Sequence, residues 1–399
     1  MADGYKDGDD IKPEQINRIV HYSKIPEKIT EDQNKVLKCS FDSDFFENDK
    51  KAAIKFKMAL QAMKDYEKEG QYVVKKLDKD YGLLEQKYID KLPFDYHEKI
   101  NKVKNGFKLN QVFFDKIASL YSPKFDYISL SPNFYEERKY SELYLLHGFF
   151  IDCLIRDWSI EGKEERELSY GRIITELKKY YDYDNKDVIE NGVKILVPGT
   201  GCSRMAYELS KLGYKVEANE LSYIYIMTCD YLFNYAKKNE IEFIPRVKTF
   251  SSSFTEESVL RKHLIPDVDI KNDLLKVKNL DLNLIKGDFV QKYKDQKEVF
   301  DCVITLYFID YAKNILEFVE IIYNILKKGG VWINMGCLDY GYPRSSMSIE
   351  LTWDELRKVI LNYGFTFENE NIGFIPYGKI EGHSLPYEYG TITFSAVKK

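Results

Sequence analysis

The chain has 399 residues, of which 44% are hydrophobic, so it can bury a substantial core. This length suits one large domain with an added helical region, or two domains. The formal net charge is -5, and charges of both signs are interspersed. Proteins that bind nucleic acids usually carry a basic patch, and none stands out here, so no nucleic-acid partner is expected.

The cysteine pattern argues against a metal site. The six cysteines are scattered, with no CxxC pair and no His/Cys cluster at zinc spacing. Scattered cysteines predict a reducing compartment, and the first ten residues are unlike a secretory or mitochondrial leader. The sequence contains no run of eighteen apolar residues, so no membrane span is predicted. We therefore expect a cytoplasmic location, with the nucleus as a second compartment, and no membrane partner.

The N-terminal part of the chain is predicted to be mainly helical. No periodicity is clear in residues 1–35, whereas helical patterns cover 42–91, 101–120, 140–158 and 170–181. We place a helical region at 1–165 and a second domain at 166–399.

The second part predicts an α/β fold with a Rossmann-like parallel sheet. Short apolar runs alternate with helical patterns there, which favours a parallel sheet covered by helices on both faces. The predicted strands are 193–197, 214–218, about 284–285, 299–306 and 330–335, and the predicted helices are 204–211, 223–236, 315–326 and 352–363. Residues 390–397 alternate in polarity with no helix after them, which suits a terminal antiparallel strand. Residues 237–284 are interpreted as an inserted surface or lid segment.

A glycine turn after the first predicted strand indicates a nucleotide-containing cofactor. Residues 195–204 read ILVPGTGCSR, and Gly199 and Gly201 can adopt backbone angles closed to other residues, which would let a ligand approach the main chain. The next strand closes on Glu220, about 20 residues later, where Rossmann-type folds present an acid to ribose hydroxyls. A glycine turn alone is weak evidence, so the later strand ends matter.

Two further strands end on carboxylates. Asp288 and Phe289 follow the short third strand, where the carboxylate would accept a hydrogen bond from an adenine amino group and the ring would cover the base. The long apolar run 301–309 ends at Asp310. Ligands of open α/β sheets bind outside the carboxyl ends of the strands, so these residues are predicted to share one crevice.

The turn KKGG at 327–330 leads into a hydrophobic strand, an arrangement that recurs in class I S-adenosylmethionine methyltransferases. An NAD enzyme would more often have a third glycine where Arg204 stands, which disfavours an oxidoreductase.

Several motifs resemble the carnosine N-methyltransferase family, from about residue 42 to the end. They are VPGTGCSR at 197–204, NELS at 219–222, GDF at 287–289, FID at 308–310 with Asn314, GGVWIN at 329–334, RDWS at 156–159 with Glu165 and Arg166, and SIEL at 348–351. The resemblance implies methyl transfer from S-adenosylmethionine to an imidazole nitrogen of carnosine, giving anserine, or of a related histidine peptide. It also implies a homodimer.

The resemblance also implies residue roles. Arg156 meets the methionyl end of the cofactor, Gly199 is the close-approach glycine, Glu220 binds the ribose, Asp288 and Phe289 bind the adenine, and Gly201 and Leu306 complete the cofactor site. Asp310 binds the imidazole and is the candidate catalytic residue, and Tyr387 or Tyr389 contacts the substrate.

The chain departs from the family at three places. Cys153 stands where the family has glutamine, and Tyr311 stands where it has threonine. The loop CLDYGY at 337–342 lacks a histidine that the family commonly offers, so Asp339 or Tyr340 is a candidate to replace it in substrate binding.

The chemistry requires alignment more than a strong base. Imidazole has a reference pKa of about 6.5, so most of it is neutral at pH 7. A carboxylate at Asp310 that accepts the ring N–H fixes the tautomer and stabilises the cation that develops as the methyl group arrives. Arg156 suits the bidentate recognition of a carboxylate.

Each candidate residue also has a purely structural interpretation. Glu220, Asp288 and Asp310 are suited to helix N-caps or solvated acids, Arg156 to a surface ion pair, and the two tyrosines to packing. The five histidines (His21, His97, His147, His263 and His383) show no partner pattern. Rival functions are methylation of a protein histidine or another small amine, a non-catalytic methyltransferase-like scaffold, and a Rossmann oxidoreductase.

Overall fold

The computed structural model describes residues 16, 18–22, 35–39, 49–341, 348–379, 381–382, 384 and 387–399. Most of the segment 1–35, predicted to lack a regular pattern, lies outside these residues, as does His383. No helix in this part of the chain is long and apolar enough to cross a bilayer.

Twelve strands lie within the described residues. They are β1 (Val20–Tyr22), β2 (Lys38–Cys39), β3 (Ile128–Leu130), β4 (Lys194–Pro198), β5 (Lys215–Glu220), β6 (Ile241–Phe243), β7 (His263–Ile265), β8 (Leu282–Lys286), β9 (Phe300–Leu306), β10 (Leu326–Gly336), β11 (Phe365–Pro376) and β12 (Glu388–Lys398).

Eight of these strands form one central sheet in the order β11-β12-β10-β9-β4-β5-β8-β2. The strands from β10 to β2 are parallel, β12 is antiparallel to β10, and β11 is antiparallel to β12. The predicted α/β class with a terminal antiparallel strand is therefore confirmed. Strands β2 and β11 were not predicted.

The sheet separates two hydrophobic cores, which explains its continuous apolar strands. Ile195 and Val197 of β4 belong to one core, whereas Leu196 between them belongs to the other. In the same way Cys302 and Val303 of β9 lie in opposite cores. Successive side chains of a strand point to opposite faces, so a strand buried on both faces reads as an unbroken apolar run.

The helices cover these two faces. They are α1 (Lys50–Lys64), α2 (Tyr66–Gly82), α3 (Gln86–Ile89), α4 (Tyr96–Phe125), α5 (Pro132–Leu146), α6 (Phe149–Trp158), α7 (Lys163–Arg166), α8 (Arg172–Lys178), α9 (Lys186–Asn191), α10 (Arg204–Lys211), α11 (Tyr223–Asn234), α12 (Glu256–Leu260), α13 (Ile270–Leu275), α14 (Phe289–Tyr293), α15 (Ile315–Ile325) and α16 (Trp353–Asn362). A π-helical turn at Glu167–Gly171 joins α7 to α8, and a 3-10 turn at Ile309–Tyr311 follows β9.

The N-terminal helices pack directly on the sheet domain. Phe56 of α1 lies 5.5 Å from Tyr223 of α11, measured between ring centroids, and Phe113 of α4 lies 6.0 Å from Tyr231. One apolar core therefore extends across the predicted domain boundary near residue 165.

The segment 237–284, interpreted from sequence as a surface or lid insertion, is partly core. It carries the antiparallel pair β6 and β7, and Phe243 and Ile265 are fully buried. The side chain of Asn110 on α4 accepts a hydrogen bond from the Ile244 amide at 2.7 Å and donates one to the Ile244 carbonyl at 2.8 Å. These bonds fix the segment to the N-terminal helices.

The strand order places a crevice at the carboxyl ends of β4 and β9. From β4 the chain continues to β5 and β8 on one side, whereas β9 and β10 lie on the other. Ligands of open α/β sheets bind where the strand order reverses in this way. The glycine turn follows β4 and Asp310 follows β9, so both lie at this point.

Candidate active site

The glycine turn connects β4 to α10 through three residues with positive φ. Gly199, Gly201 and Ser203 have φ of 60°, 53° and 62°. A Cβ atom added at Gly199 would lie 2.2 Å from the ring of Phe308, so this position requires glycine for packing as well as for backbone conformation. In the structure the close neighbour of Gly199 is therefore Phe308.

Glu220 ends β5 and braces this turn. One carboxylate oxygen accepts a hydrogen bond from the Gly201 amide at 2.9 Å, and the other accepts from the amides of Leu221 at 2.7 Å and Ser222 at 2.9 Å. Burial raises the pKa of Glu220, and the three amides act in the opposite direction. The side chain therefore holds the turn at the carboxyl end of β5.

Asp288 and Phe289 stand at the next strand end. Asp288 caps α14 by accepting a hydrogen bond from the Gln291 amide at 3.0 Å, as its structural interpretation anticipates, and the residue is partly exposed. Phe289 is buried and packs edge-on against Phe308, with 5.4 Å between ring centroids. The loop is fixed to β5, since the Gly287 amide donates to the Glu220 carbonyl at 3.0 Å.

Arg156 lies inside the protein, which excludes its interpretation as a surface ion pair. It is 8% exposed, and its Nε donates to Asp157 at 2.8 Å, while Nη2 lies 3.4 Å from Sγ of Cys153. Burial acts to lower the pKa of Arg156, but the Asp157 carboxylate outweighs it, so the pKa lies well above its ordinary value. The guanidinium is 5.9 Å from the ring centre of Tyr307 and 5.4 Å from that of Tyr377.

Asp310 is buried in the 3-10 turn after β9, with 2% of its surface exposed. Oδ2 accepts hydrogen bonds from Sγ of Cys337 at 3.3 Å and from the Asp339 amide at 3.2 Å. Oδ1 is buried and has no hydrogen-bond partner among the residues that the structure describes. Burial raises the pKa of this carboxyl to about 6, against the opposing effect of the Cys337 thiol.

The structure separates the three candidate tyrosines. Tyr389 lies on β12 with its ring 4.8 Å from that of Tyr377 and 6.2 Å from that of Tyr307, on the side of Arg156. Tyr387 is 59% exposed, outside this group of rings. The Tyr340 hydroxyl donates to the Leu351 carbonyl at 2.7 Å and accepts from the Leu351 amide at 3.0 Å, so it is engaged within the protein.

Leu306 ends β9, and Tyr307 follows it directly. Leu306 is the last residue of the strand and pairs with Met335 of β10. Tyr307 follows with φ of 49°, a strained backbone conformation for an aromatic residue. Its hydroxyl is buried and has no partner within the described part of the chain. Strain and an unpartnered hydroxyl at a strand end mark Tyr307 as a functional candidate.

Sequence reasoning missed Tyr307, Tyr377 and Glu165 as site residues. With 32 tyrosines in the chain, no single tyrosine attracts attention. Glu165 was noted only as part of a motif, yet it is buried, and burial raises its pKa to about 7. Glu165 stands in the charged run at 162–166, which gives no sign that one of its acids is buried.

Contacts connect the predicted residues into one crevice. Glu220 bonds to Gly201, a Cβ at Gly201 would lie 3.1 Å from Sγ of Cys153, and Cys153 contacts Arg156. On the other side, Gly199 packs on Phe308, which joins Phe289 beside Asp288. The Tyr389 ring packs against Tyr307, whose ring faces Arg156, and the Asp310 charge acts on Tyr389. The structure thus brings Arg156, Gly199, Gly201, Glu220, Asp288, Phe289, Leu306, Asp310 and Tyr389 together. Tyr387 is exposed outside this group, and Tyr340 lies near Asp310 with its hydroxyl bonded to Leu351.

One group of potential metal ligands lies in this region. The ligand atoms of Cys153, Asp157 and Cys202 lie within 4.8 Å of one another, and all three residues are buried. Asp157 already accepts hydrogen bonds from Arg156 and from the Tyr170 hydroxyl at 2.5 Å. The positive guanidinium of Arg156 would repel a cation, and the Asp157 carboxylate already accepts two hydrogen bonds. The cluster is therefore an unfavourable site for a cation.

Solved structures that resemble the chain include two methyltransferases. A putative methyltransferase from Bacillus halodurans is 13% identical, with a TM-score of 0.34, over 52% of this chain and 93% of that one. The magnesium protoporphyrin IX methyltransferase of Synechocystis with bound SAM is 10% identical, with a TM-score of 0.37, over 64% of this chain and 94% of that one. Likeness at these TM-scores carries no argument about the site.

Two curated proteins and one family model also match the sequence of the chain. The carnosine N-methyltransferase of Mus musculus is 33% identical over 248 residues, 61% of this chain and 60% of that protein. The Drosophila melanogaster protein named carnosine N-methyltransferase unmet is 35% identical over 230 residues, 56% of this chain and 48% of that protein. The chain thus spans less than two thirds of the length of these relatives. The family described as carnosine N-methyltransferase matches residues 146–399, well over half of the chain, and the chain therefore belongs to the carnosine N-methyltransferase family.

Proposed function

We propose that the chain is an S-adenosylmethionine-dependent N-methyltransferase that acts on an imidazole nitrogen of carnosine or a related histidine peptide. The observation that carries this proposal is Oδ1 of Asp310, which is buried at the carboxyl end of β9 and has no hydrogen-bond partner among the described residues. A buried carboxylate oxygen without a partner is costly unless a ligand supplies a donor. The N–H of a neutral imidazole is such a donor.

The donors and acceptors around the crevice fit the cofactor. Glu220 and Asp288 supply acceptors at neighbouring strand ends for the ribose and the adenine, and Arg156 supplies a buried cation for the methionyl carboxylate. When bound, S-adenosylmethionine supplies an electrophilic methyl group on sulfur. The chain's own residues would bind both ligands, exclude water and orient the accepting ring.

Asp310 would perform the orienting step. At pH 7 and above its carboxyl, with a pKa of about 6, is mostly ionised, and imidazole is mostly neutral. An ionised Oδ1 that accepts the hydrogen on one ring nitrogen leaves the other nitrogen bare for attack. The same negative charge stabilises the ring as it becomes cationic, so the interaction strengthens in the transition state.

The loop at 337–342 and Tyr389 bear on the identity of the acceptor. The loop residue Asp339 donates its backbone amide to Asp310, and Tyr340 is bonded to Leu351, so neither side chain directly replaces a histidine in this loop. Tyr389, beside the Tyr307 and Tyr377 rings, is the better candidate for contact with the acceptor. Carnosine is the acceptor that the family and the names of the relatives support; a protein histidine or another small amine is the alternative.

Two measurements on Asp310→Asn test the proposal. We expect the turnover of carnosine, followed by mass spectrometry of the methylated product, to fall by about 10²-fold or more, because the neutral amide no longer stabilises the developing cation. The affinity for S-adenosylhomocysteine, measured by calorimetry, should stay unchanged. Asp354→Asn, on the exposed surface of α16, is the matched control.

The acceptor panel should contain carnosine, free histidine and a cell extract. Methylation of carnosine by the unmodified protein supports the proposal, whereas modification of a protein histidine alone would assign a different acceptor. Near-normal turnover in Asp310→Asn would remove Asp310 from the mechanism.

We further propose a homodimer and a cytoplasmic location, the first from the family resemblance alone. The six cysteines are scattered along the sequence with no CxxC pair, which supports a reducing compartment. Analytical ultracentrifugation and imaging of a tagged chain test these two proposals separately.

A further inference from the structure

Glu165 is a buried acid that the proposed mechanism does not use. It is 4% exposed, and its Oε1 is buried without a hydrogen-bond partner among the described residues. Its other oxygen, Oε2, accepts a long hydrogen bond from the Lys379 amide at 3.4 Å, and the neighbouring Gly378 amide also acts on the carboxyl. A carboxylate this poorly bonded inside a protein requires an explanation, because an unsatisfied buried acceptor is expensive.

Glu165 and Arg156 line the same depression, together with Ile155, Gly378 and Lys379. Arg156 uses Nε for Asp157 and Nη2 for Cys153, and Nη1 has no partner in the described part of the chain. The guanidinium also faces the ring of Tyr307, whose hydroxyl has no partner among the residues described. Within the described residues, a guanidinium nitrogen and a carboxylate oxygen without hydrogen-bond partners therefore belong to residues that line the same depression and interact electrostatically.

A fixed cation beside a fixed anion is complementary to an α-amino acid group, which carries a carboxylate and an ammonium on adjacent atoms. The methionyl end of the cofactor is such a group. We propose that Glu165 binds the α-ammonium of the cofactor's methionyl end while Arg156 binds its carboxylate. This inference rests on the proposed function and extends it, because nothing in the sequence motifs or the relatives assigns a ligand to Glu165.

The electrostatics of the depression agree with this role. Burial raises the pKa of Glu165 to about 7, with the Arg156 charge acting against the rise and Asp157 adding to it. An ammonium ion placed at Oε1 lowers that pKa again, so the carboxyl loses its proton on binding. At pH 7, where about half of the Glu165 carboxyls carry a proton, binding should release a measurable fraction of one proton.

The other groups near Glu165 are already paired or neutral. They are Asp152, which pairs with Arg246 at 3.3 Å, Lys379, whose Nζ pairs with Glu164 at 3.0 Å, and Tyr307, whose pKa burial raises. Glu165 is thus the group in this set whose protonation changes near pH 7.

Calorimetry with two ligands distinguishes a loss of ammonium binding from a general loss of structure in the variant. S-adenosylhomocysteine carries the amino acid end, and 5′-methylthioadenosine lacks it. In Glu165→Gln we expect the affinity for S-adenosylhomocysteine to fall about tenfold or more, through loss of a charge-assisted hydrogen bond, and the affinity for 5′-methylthioadenosine to stay within about twofold. Glu164→Gln, one residue away and exposed, is the matched control and should change neither affinity.

Proton release by the unmodified protein gives a second readout that does not depend on the variant's folding. Enthalpies measured at pH 7 in buffers of different ionisation heat should show proton release with S-adenosylhomocysteine and none with 5′-methylthioadenosine. Equal losses for both ligands in Glu165→Gln, no loss for either, or absence of proton release would overturn the assignment. If neither ligand binds the unmodified protein, the proposed function itself fails.

Discussion

Asp310 is the residue at which the proposed activity and the stability of the fold oppose each other. Burial holds its carboxyl pKa near 6, above the value of about 3.9 in an unfolded chain. The folded protein therefore binds more protons between pH 4 and 6, and the free energy of unfolding falls as the pH rises through this window. Above pH 6 the folded state carries the full cost of an ionised buried carboxylate.

Asp310→Asn should remove this cost. The amide oxygen can still accept from Cys337 and from the Asp339 amide. We expect the free energy of unfolding, from urea titrations, to rise by about 1–2 kcal/mol at pH 7.5, less than the full pKa shift because the amide nitrogen lacks an acceptor. The gain should shrink at pH 4.5. A variant that is less stable than the parent at pH 7.5 would contradict the assigned pKa and its cause.

Glycine positions allow a matched comparison. Gly199 and Gly329 both have positive φ, 60° and 75°, but only at Gly199 does an added Cβ meet a neighbour, the Phe308 ring. Gly329→Ala should lower the free energy of unfolding by about 1–2 kcal/mol, through backbone conformation alone. Gly199→Ala should cost more and also weaken S-adenosylhomocysteine binding, because Phe308 must move. Equal costs in thermal or urea unfolding would contradict the packing role of Gly199.

At the residue scale, sequence reasoning located the strand-end acids and not the groups around them. Glu220 and Asp310 follow apolar runs, and the carboxyl ends of parallel strands share one edge, so their convergence could be predicted. Whether a side chain is buried or unpartnered depends on packing between distant elements. Glu165 therefore gave no signal, and Tyr387 and Tyr389 could be separated only once β12 was placed beside the Tyr307 and Tyr377 rings.

At the element scale, the strands of the central sheet that were missed are those at its edges. β11 reads FTFENENIGFIP and is mostly exposed on one side, so it lacks the apolar run of the central strands. β2 has two residues and joins the sheet beside β8. No local pattern predicts so short a strand, because contacts from α11 hold it in place.

Asn234 at the end of α11 makes those contacts. Its side-chain oxygen accepts from the amides of Val36 at 2.9 Å and Leu37 at 3.1 Å, and its nitrogen donates to the Leu37 carbonyl at 3.1 Å. In Asn234→Ala we expect amide hydrogen exchange at residues 36–39 to accelerate at least about tenfold, with β4 and β9 unaffected. Asn272→Ala, at an exposed position on α13, is the control. Unchanged exchange at 36–39 would show that other contacts hold β2.

At the scale of the whole molecule, the family match begins at residue 146, but the core begins earlier. Phe56 packs on Tyr223, Phe113 packs on Tyr231, and these residues belong to one hydrophobic core that extends into the sheet. The N-terminal helices cover a face of α11 whose residues are all buried. Without that cover, the part of the chain at 146–399 would present a large apolar surface to water.

We therefore expect the full chain to unfold in one cooperative transition by calorimetry, because a shared core couples its two halves. A fragment of residues 146–399 should aggregate, or lose its cooperative transition, since an exposed apolar face of this kind promotes association. Binding of S-adenosylhomocysteine to the fragment is the stringent measurement. A soluble, monomeric fragment that binds the ligand with the affinity of the full chain would make the N-terminal helices an appendage; two resolved transitions in the full chain would lead to the same conclusion.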